Sequence, residues 1–253
     1  MTKNLKLAAF SAILLMLAGS FSACGEKEIS QQPDDDGDWT FIKVADASKY
    51  SNITEVRLVA VADLPEGGIE LARFEWKDGG FTVELPDFVN PDYLKVYQNI
   101  IGLSVSNENV KYIAPFFVGF DKDGNYVTEF FLAKITKDGY THATYIYVDS
   151  DAVLSGYAEY AAYLFEKDKN GNCIYSLENR HLWKTNTTFS MEWKKGWNIQ
   201  YDSKSISKTK RTITELLSAS TTPVCELKFY DGVEYSTAIR NLQNTCPDVD
   251  IHF

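Results

Sequence analysis

Residues 72–85 decide the fold class, because they read ARFEWKDGGFTVEL. Apolar and polar residues alternate through 72–76 and again through 81–85, and the turn residues of 78–80 separate the two runs. Alternation with a period of two is typical of half-buried β-strands, and an Asp-Gly turn between two such runs indicates a β-hairpin. This stretch therefore predicts two antiparallel strands.

The same alternation recurs along most of the chain. Short turns rich in Asp, Asn and Gly separate the strand-like runs, and no helices alternate with them. The pattern predicts an all-β fold, in which an antiparallel meander closes as a β-sandwich or a flattened barrel. Further predicted hairpins join 110–120 to 125–135, 143–148 to 153–166, and 187–193 to 197–201.

The C-terminal part predicts one or two short helices. Thr212 and Glu215 have the spacing of a capping box before Leu216, which indicates the start of a helix. Residues 238–242 favour a second helix, and 224–230 have the composition of another strand.

The first 24 residues have the order of a secretory signal peptide. Lys3 and Lys6 precede an apolar run that is shorter than the about 20 residues of a membrane span and ends in small residues. The ending Phe21-Ser22-Ala23-Cys24 resembles a bacterial lipobox, in which the cysteine is lipidated and becomes the first residue of the mature chain. The resemblance implies that Cys24 holds the protein at a membrane. A retained transmembrane helix is the alternative.

Residues 24–38 predict an acidic, disordered tether, since they include Asp34-Asp35-Asp36-Gly37-Asp38 and almost nothing that a core would bury. Acidic residues after a lipidated cysteine resemble the surface-export signal of Bacteroidota lipoproteins; a plain solvated linker is the alternative. With the body segments 143–149 and 194–198, the chain resembles uncharacterised β-rich surface lipoproteins of Bacteroidota. The resemblance implies an outer-membrane lipoprotein, exposed at the cell surface, of a kind that binds glycans, assembles surface structures or attaches to host proteins.

The predicted organisation is a signal peptide at 1–23, a tether at 24–38 and a single β-rich domain at 39–253. Two small β domains, divided near 138–142, are the alternative, because a chain of 253 residues has room for either arrangement.

Composition and charge narrow the classes of partner that the protein is expected to bind. The formal net charge is −10, and removal of Lys3 and Lys6 with the signal peptide makes the mature chain more acidic still. Nucleic acids and anionic lipid surfaces attract basic patches, so we expect no nucleic-acid partner and a membrane contact only through the lipid on Cys24. The remaining cysteines form no C-x-x-C pair. A disulfide between Cys225 and Cys246, or three reduced thiols including Cys173, are both open.

The sequence shows no motif for a metal, a cofactor or catalysis. Asp121, Asp123 and Asn125 have the opening spacing of a calcium loop, but a full loop needs Gly sixth and Glu twelfth, so a plain turn is expected here and at 168–172. No G-x-S-x-G motif is present. We therefore expect no catalytic residue, no metal site and no cofactor. The three histidines, His142, His181 and His252, form no zinc-binding pair.

Aromatic residues are the most suggestive feature, since fifteen Tyr, fifteen Phe and five Trp make up 14% of the chain. Aromatic rings on a sheet stack on sugars or anchor a protein partner, although they also fill the cores of β-sandwiches. Alternation places Trp193 on the core side of its strand. Trp197 lies at the rim of the sheet, and with Trp183 it is the candidate ligand-binding residue. Tyr157, Tyr160 and Tyr163 lie on the preceding strand.

Three functions remain open from the sequence. The leading hypothesis is a lipid-anchored, non-enzymatic binding module of the cell envelope, for a glycan or a host polymer. The alternative is a structural or assembly lipoprotein that pairs with another surface protein through a sheet edge. A hydrolase that uses two carboxylates is the third. Exposure of the tryptophan rings would favour glycan binding, their burial would favour assembly, and a cleft lined by carboxylates would favour hydrolysis.

Overall fold

The computed structural model describes residues 41–44, 47–60, 68–98, 102–170, 172–222, 227–243 and 245–247, all within one compact unit that comprises 39–223 and 227–253. The predictions on the signal peptide, Cys24, the tether, Cys225 and His252 lie outside the described residues.

The described chain is mostly β-strand, so the predicted all-β class is confirmed, and a helix near the C-terminus is confirmed with it. The strands are β1 (Phe41–Lys43), β2 (Ile53–Ala60), β3 (Ile69–Glu75), β4 (Gly80–Thr82), β5 (Lys95–Val96), β6 (Leu103–Val105), β7 (Lys111–Ile113), β8 (Phe116–Asp121), β9 (Tyr126–Ile135), β10 (Gly139–Val148), β11 (Ala152–Glu166), β12 (Arg180–Trp193), β13 (Gly196–Ser207), β14 (Thr212–Ser220), β15 (Lys228–Asp231) and β16 (Thr245–Pro247). The helix is α1 (Gly232–Gln243), and short 3-10 turns cover Ala47–Tyr50, Pro91–Tyr93 and Leu177–Asn179.

Fourteen of these strands form one large sheet, and β1 and β4 form a separate pair. The hydrogen-bonded order is β16-β11-β12-β14-β13-β10-β9-β8-β2-β3, with β5, β6, β7 and β15 attached beside it. The sheet is mixed, because β12 and β14 run parallel, and its described strands do not close into a barrel.

Strand β10 does not pair with β11, although only three residues connect them. β10 pairs with β13 along its whole length and with β9 and β7 on its other side, while β11 pairs with β12. Both edges of β10 are therefore occupied, and the predicted hairpin between 143–148 and 153–166 is wrong.

Strand β14 lies between β12 and β13, which the sequence predicts to be a hairpin. The capping-box prediction at Thr212 is wrong for the same reason, since both neighbours of β14 take up its backbone groups and pairing overrides a local helix signal. The Thr212 hydroxyl donates to the carbonyl of Lys210 instead.

Two clusters of the core lie on opposite faces of β10. Tyr145 packs edge-on against Phe117 in an aromatic cluster, in which Phe81 and Phe229 stack with ring centroids 4.8 Å apart. Ile146 and Val148 point to the other face and pack in a second cluster. That cluster contains Leu103, Val110, Ala152, Leu154, Phe189, Met191 and Trp193. Trp193 is 1% exposed, which confirms its predicted core-facing side.

Candidate functional site

The two tryptophans predicted to bind a ligand are not offered to solvent as a row. Trp183 is 6% exposed. Trp197 is half-buried, its indole Nε1 donates to the carbonyl of Pro86 at 2.8 Å, and its ring packs edge-on against Tyr147 at 5.4 Å. Sugar stacking needs an open ring face, so the burial of these rings favours assembly over glycan binding by the criterion stated above.

The two calcium-like loops are closed by their own backbone. The Asp121 Oδ1 accepts from the backbone N–H of Asp123 and Asn125 at 2.9 Å, and Oδ2 accepts from the Asn125 amide at 3.1 Å. These hydrogen bonds, led by that of the Asn125 side chain, lower the pKa of Asp121. Asp168 makes the same three contacts in its own loop. Both carboxylates therefore shape turns.

The two histidines of the described residues, His142 and His181, have different surroundings. His142 packs beside Tyr235 of α1, with ring centroids 5.5 Å apart, whereas His181 Nε2 lies 2.9 Å from a carboxylate oxygen of Glu166. Within the described ranges, no group of three or more His, Cys, Asp or Glu residues could hold a metal ion.

Exposed aromatic and aliphatic side chains concentrate on strands β11 and β12 and the connection between them, residues 152–193, which we call the tyrosine hairpin. Tyr157 is 56% exposed, Tyr160 51% and Tyr163 45%. Of the twelve large apolar or aromatic side chains exposed in the described chain, seven belong to this hairpin, so solvent-exposed apolar surface is not evenly spread. The seven are Val153, Tyr157, Tyr160, Tyr163, Tyr175, Leu177 and Leu182.

The strand register places most of these side chains on one face. Tyr163 lies directly opposite Leu182, and Tyr157 lies opposite Thr188. Since residues an even number apart share a face, Tyr157 and Tyr163 lie on the same side about 20 Å apart. Tyr160 lies opposite Thr185 on the other side. The side of the hairpin that carries Tyr157, Tyr163 and Leu182 therefore presents long, solvent-exposed rings and aliphatic groups.

Two tyrosines are held in place by neighbouring side chains. The Tyr157 hydroxyl donates to Asn186 Oδ1 at 3.1 Å, and the Arg180 guanidinium lies 4.3 Å from the centroid of the Tyr163 ring. A ring that is fixed before binding loses less conformational entropy when a partner orders it. The hairpin thus presents preorganised rings.

A second cluster of functional groups, the ionic cluster, lies on the sheet where β10, β13, β14 and β12 run side by side. Direct strand neighbours place Tyr140, Lys204, Glu215 and Thr187 in one row across the four strands, with Asp202 two residues along β13. Lys204 Nζ lies 2.8 Å from Glu215 Oε1 and 3.2 Å from Asp202 Oδ2. The Thr187 hydroxyl donates to Glu215 Oε2 at 2.5 Å.

Burial and charge move the pKa values of this cluster apart. Burial raises the pKa of Asp202 to about 6, and it lowers that of His142 to about 4, with the positive charge of Lys204 adding to the second effect. Burial also acts to raise the pKa of Glu215, but hydrogen bonds from Lys204 and Thr187 outweigh it and lower the value. Because one ammonium group contacts both carboxylates, the cluster is a paired structural network that can take up a proton at Asp202.

Sequence reasoning missed the ionic cluster, because alternating charged residues such as Asp202 and Lys204 are typical of a solvent-facing strand side. A signal was present in β14. Ile213, Glu215 and Leu217 share one face by alternation, so Glu215 interrupts an apolar stripe.

Cys173 forms a disulfide, so the alternative of three reduced thiols is wrong. Its partner is outside the set of side chains that the structure describes.

Comparison with protein-family models, with curated proteins and with solved structures finds no match to this chain. Within the described residues, no helix combines the length and the apolar character that crossing a membrane requires.

Proposed function

We propose that this chain is a lipid-anchored, non-enzymatic module of the cell envelope that docks a protein partner through the tyrosine hairpin. The observation that carries the proposal is the concentration of exposed side chains on that hairpin, where Tyr157, Tyr160 and Tyr163 are each about half exposed. Clustered exposed apolar surface on a folded protein marks an interaction site.

The composition of the hairpin face favours a protein over a glycan. Tyrosine and arginine are the residue types that dominate binding energy at protein interfaces, and here Arg180 already stacks on Tyr163. Leu182 lies beside that pair on the same face and adds aliphatic area. The burial of Trp183 removes the ring best suited to stack on a sugar.

Several charges on the hairpin are paired with each other, and the apolar groups are expected to supply most of the affinity. Lys184 Nζ lies 3.6 Å from a carboxylate oxygen of Glu159, and the His181 imidazole lies against Glu166. Exposed ion pairs contribute little to affinity, but they keep the interface electrically balanced.

The placement in the envelope rests on the lipobox and on Cys173. Disulfides persist in oxidising compartments outside the cytoplasm, so the disulfide at Cys173 supports export. Replacement of Cys24 by Ala should abolish membrane retention and palmitate labelling, and labelling that persists would overturn the lipobox assignment. If the acidic run 34–38 routes the protein to the cell surface, its replacement by Ala should leave the protein lipidated but protected from external protease.

The proposal assigns no catalysis to the ionic cluster, because each of its carboxylates is engaged by Lys204 and a general acid needs a free approach to substrate.

Site-specific photo-crosslinking in cells that produce the protein tests the docking surface. Benzoylphenylalanine at position 182 should give a discrete protein adduct, and the same residue at Lys122, in the exposed β8–β9 turn, should give none. The adduct should disappear when Tyr157 and Tyr163 are replaced by Ser. Absence of any adduct from position 182 contradicts the proposal.

A glycan is the second candidate, favoured by the open ring of Tyr157. A glycan array probed with the same protein separates the two. A glycan that is bound by the wild type and lost on Tyr157→Ser, without a protein adduct from position 182, would replace the protein partner by a glycan.

A further inference from the structure

The predicted hairpin at 72–85 forms its turn, but its two arms separate. The backbone N–H of Lys77 donates to the carbonyl of Gly80 at 2.9 Å, and that of Gly80 donates back at 3.0 Å. Asp78 and Gly79 both have positive φ, at 52° and 77°, which closes the tight turn. Beyond this pair, β3 joins β2 in the large sheet and β4 joins β1 in the small one. The arms therefore diverge into two different sheets.

A cavity of about 520 Å³ opens between the two arms. Phe74 and Phe81, whose rings stack with centroids 5.8 Å apart, lie at its base, where they also belong to the aromatic core. The cavity is within the size range of sites that bind ligands. The side chains around its mouth are those of Arg73, Glu75, Lys77, Asp78, Thr82 and Glu84.

Among the described strands, each arm that lines this cavity is an edge strand. β3 is the last strand in the hydrogen-bonded order of the large sheet, and among the described strands β4 pairs only with β1. The unpaired backbone groups of an edge strand are a template for an additional strand. Addition of an extended peptide to such an edge is a recurrent mode of peptide recognition.

The mouth of the cavity carries a net negative charge, because its arginine is already paired with glutamates. Arg73 is held by Glu70 at 3.1 Å and by Glu55 at 3.0 Å. No side chain of the described residues pairs with Glu75 or Glu84, nor with Asp78, so that Lys77 is the only free cation beside three free carboxylates. A basic segment would complement this mouth.

We propose that the cavity between β3 and β4 is an acceptor site for a short, extended, basic peptide segment of a partner protein, which binds as an added strand. Alternate side chains of the segment would enter the cavity above Phe74, because successive residues of a strand point in opposite directions. The basic side chains between them would reach Glu75 and Glu84. The site is separate from the tyrosine hairpin, since β3 and β11 lie toward opposite ends of the strand order.

Fluorescence anisotropy with the full-length protein in detergent tests this site. The probe is a labelled peptide of alternating Lys and Val, eight residues long, with two controls: the same length with Glu in place of Lys, and the Lys-Val peptide with one central Val replaced by Pro. The Lys-Val peptide should bind at least tenfold more tightly than either control. Proline removes a backbone donor that strand addition needs, so equal binding of the proline peptide would overturn the strand mode.

Variants of the protein test whether the peptide binds at this cavity. Replacement of both Glu75 and Glu84 by Gln should weaken the binding of the Lys-Val peptide about tenfold. The matched control replaces Glu108 and Glu129, two exposed carboxylates outside both proposed sites, by Gln, which changes the net charge equally and should leave the affinity within twofold. Equal losses in both double variants would mean non-specific attraction to an acidic protein and would overturn the site. Tyr157→Ser should leave this affinity unchanged, which separates this test from that of the hairpin.

Discussion

The phenylalanines between β4, β8, β9 and β15 and the tyrosines of the tyrosine hairpin lie on equally alternating strands, yet they have opposite environments. Phe81 and Phe229 are 0% exposed and stack on each other, whereas Tyr157 is 56% exposed and its hydroxyl is hydrogen-bonded to Asn186. A buried phenol needs a partner for its hydroxyl group, while a phenyl ring does not. The first region therefore holds the fold together, and the second leaves its aromatic area free for binding.

The largest expected effect is the loss of stability when a phenylalanine of the first region is truncated. Phe229→Ala should lower the free energy of unfolding by about 3–5 kcal/mol, because it opens a cavity among fully buried rings. Tyr157→Ala should change it by less than about 0.5 kcal/mol, since the ring is largely solvated. Urea denaturation of the two variants measures the contrast. Equal destabilisation would mean that the hairpin tyrosines belong to the structural core.

The disulfide at Cys173 joins the connection of the tyrosine hairpin to another part of the chain, and its loss is the next largest effect. Cys173→Ser should cost about 2–4 kcal/mol, because the unfolded chain gains entropy when a long loop is opened. Thermal melting with and without reductant measures this. The wild type should lose stability in reductant and the variant should not; a variant that is still sensitive to reductant would contradict the assignment.

Asp202 of the ionic cluster and His142, which lies directly opposite it on β10, should give opposite pH dependences of stability. The folded pKa of Asp202 is raised to about 6, so its contribution to stability is fully present below the unfolded value of 3.8 and is lost as pH rises through 6. The folded pKa of His142 is lowered to about 4, so its contribution is present above 6.5 and is lost as pH falls through 4. Between pH 4 and 6 the two contributions oppose each other.

Asp202→Asn should therefore lose stability relative to the wild type as pH falls from 6 to 4, and His142→Asn should gain it. Each difference is at most about 3 kcal/mol, since one pKa unit corresponds to about 1.4 kcal/mol. Denaturation at several pH values measures both, with exposed Asp138→Asn as the control that should track the wild type. Profiles of the two variants that slope the same way would contradict the assigned pKa directions.

The local sequence pattern predicted well where the strands lie, but it predicted poorly which strands pair with each other. The alternation and turn at 72–85 identified β3, β4 and the turn between them, and alternation also placed Trp193 in the core. Pairing depends on residues far along the chain: β14 enters between β12 and β13, and nothing near Lys194 and Lys195 signals this. The same insertion turns the Thr212 capping box into a strand.

The candidate site was predictable only in its residue type. Excess aromatic residues indicated a binding surface, but burial decided which of them remain available. Trp183 and Trp197 were predicted because they lie near a predicted hairpin whose two strands do not pair with each other. The tyrosines lie on β11, and the outer half of that strand has an exposed face. The exposure of a side chain depends on which other elements pack on its strand. The sequence of that strand alone does not reveal this.

The most direct measurement of the central claim combines melting and crosslinking on one variant, Tyr157→Ser with Tyr163→Ser. The account predicts a melting temperature within about 2 °C of the wild type, because the exposed rings add little to stability. It also predicts loss of the protein adduct formed from position 182. An adduct that persists in a stably folded variant, or a variant that melts far below the wild type, would contradict the claim that these tyrosines serve binding rather than folding.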